Sequence, residues 1–535
     1  MKTVTTAMLV VTLLIVVGWG KQVNSSEEKA PGVSLHLAAL QGNIDAIRQH
    51  IKAGSDLDEK DAYGSSPLIV AVTFGKTEVA RALIEAGADL GIRDNYGSTP
   101  LHLAALFCRI EIVKALLDKG ANKYLRNNNG ATAFDIAASH FDDDKGIYDQ
   151  LGAALGPMGL ELDYEQIRIT RPKIAEMLRP QTEDLEAVVY TPLPGDDWKM
   201  STPAEQGLDP MLVAELYLDA AEMETLYGLL VVKNGHLIAE GYFNEATVEQ
   251  KARLQSVTKS YTSALVGIAL DQGCLSSVDQ KMMDFFPEVA DQITDPRKEQ
   301  ITIRHLLQMR AGYPWEETDP ALWEGLLSGH YLPLIEKFPL IADPGTEFNY
   351  SNLTSNWLGI IVARACGTDL KSYAEEHLFS PMDTEVGDWG TDRDGHNNGC
   401  ADLHFTARDM ARFGLLYLND GEYEGNQVVS ASWVRESLQT YSEDAWGSED
   451  KLNKVGRYFR DLGYGYQWWS ASVGDHHFDF AWGHGGQLIV LLDELDMIIA
   501  VTAGPFYLQH DDQSWKHEQA NINLVGKFIK SLPKE

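Results

Sequence analysis

Over residues 33–154 the chain repeats itself every 33 residues, and no other feature limits its fold so tightly. In rows of 33, "GSSPLIVAVTFGKTEVARALIEAGADLGIRDNY" from Gly64 stands above "GSTPLHLAALFCRIEIVKALLDKGANKYLRNNN" from Gly97. "GATAFDIAASHF" begins a further row at Gly130, and a divergent row, "VSLHLAALQGNIDAIRQHIKAGSDLDEKDAY", comes before them. Ala38, Ala71, Ala104 and Ala137 fall in register, as do Gly54, Gly87 and Gly120. A unit this short cannot bury an apolar face alone, so neighbouring rows must stack. The alanines let paired helices approach closely, Gly54, Gly87 and Gly120 end the second helix, and Gly64, Gly97 and Gly130 suit the turn that opens each row.

This pattern resembles the ankyrin repeat, whose Thr-Pro-Leu-His-x-Ala signature stands intact from Thr99 to Ala104. The resemblance implies four helical repeats over 33–154 and a protein partner. The last row is degenerate: it decays into "FDDDKGIYDQLGAALG" and is expected to act as a cap. Cys108 departs from the pattern where the neighbouring rows carry Gly42 and Gly75. The same array also reads as a spacer packed on its own neighbour domain.

A chain of 535 residues is too long for one core. Residues 155–200 read as a linker, holding a charged helix candidate in "DYEQIRITRPKIAEMLR" and the Pro/Gly-rich "YTPLPGDDW". A second domain is expected over 201–535, beginning with a helix from Pro210. Two β-rich runs joined at Asn234-Gly235 predict a hairpin, and "YGYQWW", "FAWGHGGQLIVLLD" and "MIIAVTAG" predict strands at the other end. With a helical middle, this is an α+β domain whose antiparallel sheet is assembled from both ends and flanked by helices. The whole chain is thus multidomain, a helical repeat solenoid followed by an α+β domain.

The 78 acidic residues against 44 basic ones give a net charge of −34, which repels nucleic acid and anionic lipid. Lys2 and the apolar run behind it read as a signal peptide or an uncleaved N-terminal anchor over residues 1–24. The expected location is therefore outside the cytoplasm, periplasmic or extracellular. Cys108, Cys274, Cys366 and Cys400 are too few and too scattered for a disulfide scaffold or a zinc site. "DHHFD" at Asp475–Asp479 has metal-ligand types, but adjacent residues of a strand face opposite ways.

The chemistry centres on "RLQSVTKSYTSALVGIALDQG". Ser256 and Lys259 lie one turn apart where a polar stretch gives way to an apolar helix, so the amine can reach the hydroxyl. For Lys259 to act as a base, burial or a nearby cation must lower its pKa, and the apolar helix predicts burial. The same spacing at Ser26/Lys29 and Ser448/Lys451 lacks that setting. Tyr350 and Asn352, in "DPGTEFNYSNLTSN", are expected on a loop after a Pro-Gly turn, within reach of a pocket. In "WGHGGQ", Gly485 and Gly486 are expected to let a substrate approach the strand closely, with His484 lining the pocket and the Gln487 N–H as an oxyanion donor.

These three elements, in this order, are similar to those of the serine β-lactamase and penicillin-binding-protein superfamily, and most of all to its class C β-lactamase-like hydrolases. The likeness covers roughly 200–530, with "STPAEQGLDP", "ITIRHLLQMRAGY" and "TARDMARFGLLYLNDGEYEGNQVVSASWV" in support. It implies Ser256 as acylated nucleophile, Lys259 as its base and Tyr350 as proton shuttle. It further implies that Asn352 binds a substrate carbonyl or orients Lys259, that His484, Gly486 and Gln487 bind substrate, and that neither cofactor nor metal takes part. His484-Gly485-Gly486 replaces the Lys-Thr-Gly of β-lactamases, which favours an ester or amide over a β-lactam. The alternative is a penicillin-recognising type of sensor that is acylated without turnover.

Overall fold

Each 33-residue row becomes two short helices in the computed structural model. The structure describes residues 31–534 except 130, 140, 181–184, 186, 196, 319, 446–454 and 507–510. The apolar leader, Gly130 and the spacing decoys Ser26 and Ser448 lie outside the described residues. Two compact units divide after residue 184.

In the first unit the pairs are Leu35–Gln41 with Ile44–Lys52, Pro67–Thr73 with Thr77–Glu85, and Pro100–Leu106 with Ile110–Asp118. Ser34, Ser66 and Thr99 cap the leading helices, and proline fills the first helical position in two of them, where its missing N–H costs nothing. Ala38, Ala71 and Ala104 are fully buried, so the paired helices meet backbone to backbone around Leu68, Val79, Leu83, Leu101, Ile112 and Leu116. The rows are stitched at their turns, where Asn95 N–H donates to the Tyr63 carbonyl (3.2 Å) and Asn128 N–H to that of Tyr96 (3.0 Å). Gly97 has φ +71°, and a Cβ there would stand 2.8 Å from the Asn128 nitrogen. Cys108 keeps the left-handed conformation (φ +55°) of its counterparts Gly42 and Gly75, so the departure in sequence leaves the turn unchanged.

The fourth row contributes the Ala133–Ala138 helix, followed by the Phe141–Leu155 helix. Tyr148, fully buried, donates to the Leu106 carbonyl at 2.7 Å. The charged segment predicted as helical forms the Tyr164–Leu178 helix, and its Ile174, Ala175 and Leu178 join the core of the repeats. At the other end of the stretch read as a linker, Trp198 is buried in the second unit and the Leu237 N–H donates to the Lys199 carbonyl (2.9 Å).

The second unit is built on β1 (Leu226–Lys233), β2 (His236–Tyr242), β7 (Arg460–Tyr464), β8 (Trp469–Val473), β9 (His476–Gly483), β10 (Gln487–Leu492) and β11 (Met497–Ala503). Two short pairs, β3 (Ala252–Arg253) with β4 (His404–Phe405) and β5 (Glu422–Tyr423) with β6 (Asn426–Gln427), stand apart. The seven strands form one antiparallel sheet in the order β2-β1-β11-β10-β9-β8-β7, so both ends of the unit meet where β1 pairs with β11. Asn234 (φ +50°) and Gly235 (φ +70°) make the predicted hairpin turn.

Both faces of the sheet are covered. Leu230, Val232, Ile489, Ile498 and Ala500 pack under the helical middle, while Leu229, Val231, Val490, Ile499 and Val501 pack under the Pro210–Ala220 and Asp511–Ser531 helices. The period of two thus places successive residues in different cores, which is why the central strands read as unbroken apolar runs.

"YGYQWW", expected as a strand, instead spans the end of β7, a connection over 465–468 and the start of β8. Gly465 lies so close to Ser437 that a Cβ would stand 2.3 Å from its carbonyl oxygen, and Gln467 has φ +63°. The buried Gln467 donates to the Leu306 and Leu307 carbonyls (3.0 Å each) and accepts from Ser355 Oγ (2.7 Å), while its own carbonyl accepts from Ser260 Oγ (2.8 Å). One residue therefore ties three helical segments together, two through its side-chain amide and one through its backbone carbonyl.

His102 makes the repeats sensitive to acid. Its Nδ1 accepts from the Thr99 N–H (3.2 Å) and its Nε2 meets the Ala131 carbonyl (2.9 Å), which fits a neutral ring. Burial lowers its pKa to about 4, from 6.5 when unfolded. Between those values the unfolded chain binds more protons, so stability present above pH 6.5 is lost as pH falls towards 4, by up to roughly 3 kcal/mol. Urea unfolding followed from pH 7 to 4 should show that decline in the transition of the repeats, and His102→Gln should flatten it.

Candidate active site

Ser256 occupies a tight turn, Gln255–Val257, that leads into the Thr258–Asp271 helix. The residue before it, Gln255, takes a left-handed φ of +50°, which bends the chain sharply at the serine. The end of β9 lies on this turn because residue 483 is glycine: a Cβ there would stand 2.2 Å from the Leu254 carbonyl oxygen. Ser256 stays half-buried, open to a substrate, while the helix behind it is buried from Thr258 to Ala269.

One turn on, Lys259 is 1% exposed. Its Nζ donates to Ser256 Oγ (2.9 Å), Asn352 Oδ1 (2.9 Å) and the Cys400 carbonyl (3.0 Å), one acceptor for each ammonium proton. The amine also stands 4.9 Å from the centre of the Tyr350 ring. Tyr350 precedes the N-cap, Ser351, of the Asn352–Cys366 helix. Asn352, expected on a loop beside it, instead opens that helix and is 8% exposed, with its amide oxygen turned to Lys259. An aromatic wall backs the phenol: Trp469 stacks on it (5.7 Å), and Trp315 and Tyr464 meet it edge-on (6.2 and 6.3 Å). Tyr313 belongs to the core instead, against Trp357 (4.9 Å).

Lys259 departs from expectation in its proton affinity. Burial pushes the amine down, as predicted, but Tyr350, Cys400 and Glu316 pull it up and prevail, so its pKa lies above the ordinary lysine value. Burial likewise raises the Tyr350 phenol, against the opposing pull of Lys259 and Ser256. The Cys400 thiol is pushed up to about 11 by burial. These surroundings favour the ammonium form of Lys259 and the phenol form of Tyr350.

The "WGHGGQ" stretch is built differently from expectation. Gly485 and Gly486 both have φ +88°, and a Cβ on either would collide with the chain itself, at Pro505 (2.5 Å) and Asn521 (2.8 Å). They make the sharp turn between β9 and β10, and the close approach they permit is internal. Gln487 opens β10 in register with Gly483, the glycine that lies against the serine turn, and β10 itself meets that turn. Its side chain is used by Ala503, donating to the carbonyl at 2.6 Å and accepting from the N–H at 2.9 Å. His484 Nδ1 meets the buried Glu518 carboxylate at 2.8 Å, between the rings of Phe506 and Trp515. In "DHHFD", His476 points inward to Glu494 (2.5 Å) while His477 is exposed, and among the described residues no cluster fit to hold a metal ion is present.

Three contributors escape a sequence reading. Glu316, fully buried, accepts from Ser351 Oγ (2.6 Å), Asn352 N–H (3.0 Å) and Leu353 N–H (3.1 Å), although nothing in "PWEE" marks it as different from a surface glutamate. Cys400 offers Lys259 only a backbone oxygen, which no side-chain pattern encodes. Asn356 accepts from the Cys400 N–H at 3.0 Å and so holds that carbonyl in place. Its position, one turn after Asn352, is the one signal available beforehand.

Comparison with known proteins adds an independent line. The family model described as Beta-lactamase matches residues 221–523, and that of ankyrin repeats (3 copies) matches 35–127. The 6-aminohexanoate-dimer hydrolase of Paenarthrobacter ureafaciens is 27% identical over 255 residues, covering 45% of this chain and 63% of that protein. Acyltransferase mokF of Monascus pilosus is 31% identical over 155 residues, covering 25% of this chain and 37% of that protein. Among solved structures, the octameric penicillin-binding protein homologue from Pyrococcus abyssi is 18% identical with a TM-score of 0.45, covering 60% of this chain and 77% of that one. The chain thus spans less than two thirds of the length of the two curated relatives.

The segment that carries Cys400 passes so close to the Asn352–Cys366 helix that a Cβ on Gly399 would stand 2.2 Å from the Ser355 carbonyl oxygen. Gly399→Ala must therefore move that segment and draw the Cys400 carbonyl off Lys259. Urea unfolding of the second unit should register a loss of about 1–3 kcal/mol.

Proposed function

The chain belongs to the beta-lactamase family and carries ankyrin repeats, and from that premise we propose that its second unit cleaves an ester or amide through an acyl-enzyme on Ser256. The observation that carries this reading is the Lys259 ammonium held between Ser256 Oγ, Asn352 Oδ1 and the Cys400 carbonyl, with the Tyr350 phenol alongside. Lys259 occupies one lone pair of Ser256, which leaves the hydroxyl proton free to move elsewhere. Tyr350 is the acceptor: the neighbouring ammonium stabilises a phenolate, so the Lys259–Tyr350 pair loses one proton as a unit and becomes the base.

Ser256 Oγ then bonds to the carbonyl carbon while its proton passes to Tyr350. The oxyanion takes hydrogen bonds from the Ser256 and Gln487 backbone N–H groups. As the tetrahedral intermediate collapses, Tyr350 returns the proton to the departing alcohol or amine. Water repeats the sequence on the acyl-enzyme, giving up a proton to Tyr350 and releasing the acid and Ser256.

Substrate preference follows from His484. β-Lactamases have a lysine at that point, whereas here an imidazole stands there and is engaged by the Glu518 carboxylate. This favours esters and amides over β-lactams. The repeats, by the same family reasoning, hold a protein partner.

Rapid mixing of the protein with p-nitrophenyl acetate, p-nitrophenyl butyrate and nitrocefin tests the proposal. An initial burst followed by steady turnover is expected on the esters, with nitrocefin slower. Ser256→Ala should abolish both turnover and labelling by a serine-reactive phosphonate, and Tyr350→Phe should lower kcat by about 10²–10⁴-fold. A burst that stops at one equivalent would make the protein a covalent sensor.

A further inference from the structure

Glu316 stands outside the reacting atoms yet bonds to the segment that presents two of them. Its carboxylate is 0% exposed, and the three groups it contacts, Ser351 Oγ–H, Asn352 N–H and Leu353 N–H, are all donors. Both oxygens accept, Oε1 from Ser351 and Leu353 and Oε2 from Asn352; burial pushes the carboxyl above its ordinary value, and these three bonds act against that push in favour of the ionised form. A buried charge of this kind persists only where its partners repay the loss of water, and here the direct partners belong to a helix N-terminus, with the Lys259 ammonium attracting it from further away. The same helix start carries Asn352, whose side chain accepts from Lys259, and follows directly on Tyr350. Met309 supports the segment from behind, its sulfur accepting from the Ser351 N–H (3.4 Å) and Thr354 Oγ1 (3.3 Å). The route from Glu316 to Ser256 is thus one backbone, one amide and one ammonium long.

Resting on the acyl-enzyme reading above, we infer that Glu316 is a positioning residue for the reaction, a buried anion that fixes Tyr350-Ser351-Asn352 against Lys259 and restrains the Lys259–Tyr350 pair from giving up its proton. Two consequences separate this role from simple packing. Replacing the carboxylate by an amide turns an N–H₂ group on donors, so Asn352 and Tyr350 shift and the rate falls. Removing the negative charge also makes loss of a proton from the pair easier, so the pH at which the base forms moves down. Packing alone would change the rate without moving that pH.

The test uses the full chain and the pH dependence of phosphonate labelling, which reads Ser256 reactivity without requiring a natural substrate. Labelling should rise with pH as the pair deprotonates. In Glu316→Gln the plateau rate should fall about tenfold or more, and the rising limb should move to lower pH by about half a unit or more. Glu316→Asp retains the charge but retracts it by one methylene, so its limb should keep the wild-type position while its rate falls. An unmoved limb in Glu316→Gln that still melts cooperatively overturns the inference. If Glu316→Gln does not fold, Glu316→Asp decides, since labelling at the wild-type rate would overturn it. Undiminished labelling of Ser256→Ala would overturn the nucleophile assignment and this inference with it, whereas the unmoved limb overturns the inference alone.

Discussion

An ammonium group taken out of water must be given an acceptor for every proton, and in the second unit that requirement falls on Lys259. Its three acceptors come from three places in the chain: the turn at Ser256, the helix start at Asn352 and the backbone at Cys400. An unpaired charge at that depth would cost several kcal/mol, so loss of any one acceptor would weigh on the whole assembly. Asn356 holds the Cys400 segment, Gly399 lets it reach the helix, and Thr262 Oγ1 anchors the Gly399 carbonyl at 2.8 Å. The lysine is at once the reason these segments converge and the group that their convergence tunes.

The same convergence explains why burial alone misjudges the chemistry. Desolvation favours a neutral amine, but the acidic groups gathered around it, Tyr350, Cys400 and Glu316, act in the other direction in their ionised forms and together outweigh it. In the proposed reaction the base is then a pair of groups, with the roles of Lys259 and Tyr350 defined together.

The sheet gives this assembly its rigidity. The serine turn is pressed between the apolar Thr258–Asp271 helix and the end of β9, and only glycine at 483 lets the strand come so near. Gln467 bonds to three helical segments from a single buried residue, two through its side-chain amide and one through its backbone carbonyl, which keeps the helical middle in one arrangement above the strands. In the repeat unit each row meets only its neighbours, so its stability is nearly a sum of local terms. The two units thus represent different physical solutions to burying apolar surface, one local and repetitive, the other assembled from distant parts of the chain.

That contrast marks what could be read from the sequence alone. The repeats were legible because their contacts recur at one spacing and depend on residues that declare themselves: alanine at the helix contacts, glycine at φ > 0, Ser or Thr with proline at helix starts. The Asn234-Gly235 hairpin, the α+β order and the Ser256/Lys259 pair were legible for the same reason, each being set by neighbours within a turn or two. Tertiary structure alone decided the remainder. It brought Glu316 beneath Asn352, turned the Cys400 carbonyl to Lys259, committed Gly485 and Gly486 to an internal turn and raised the Lys259 pKa. Each of these depends on groups that are far apart in the chain, and in two of them the acting group is a backbone atom or a residue whose type suggests the surface. Local spacing encodes periodicity and caps, whereas the electrostatics of a buried site exist only once distant segments have closed around it.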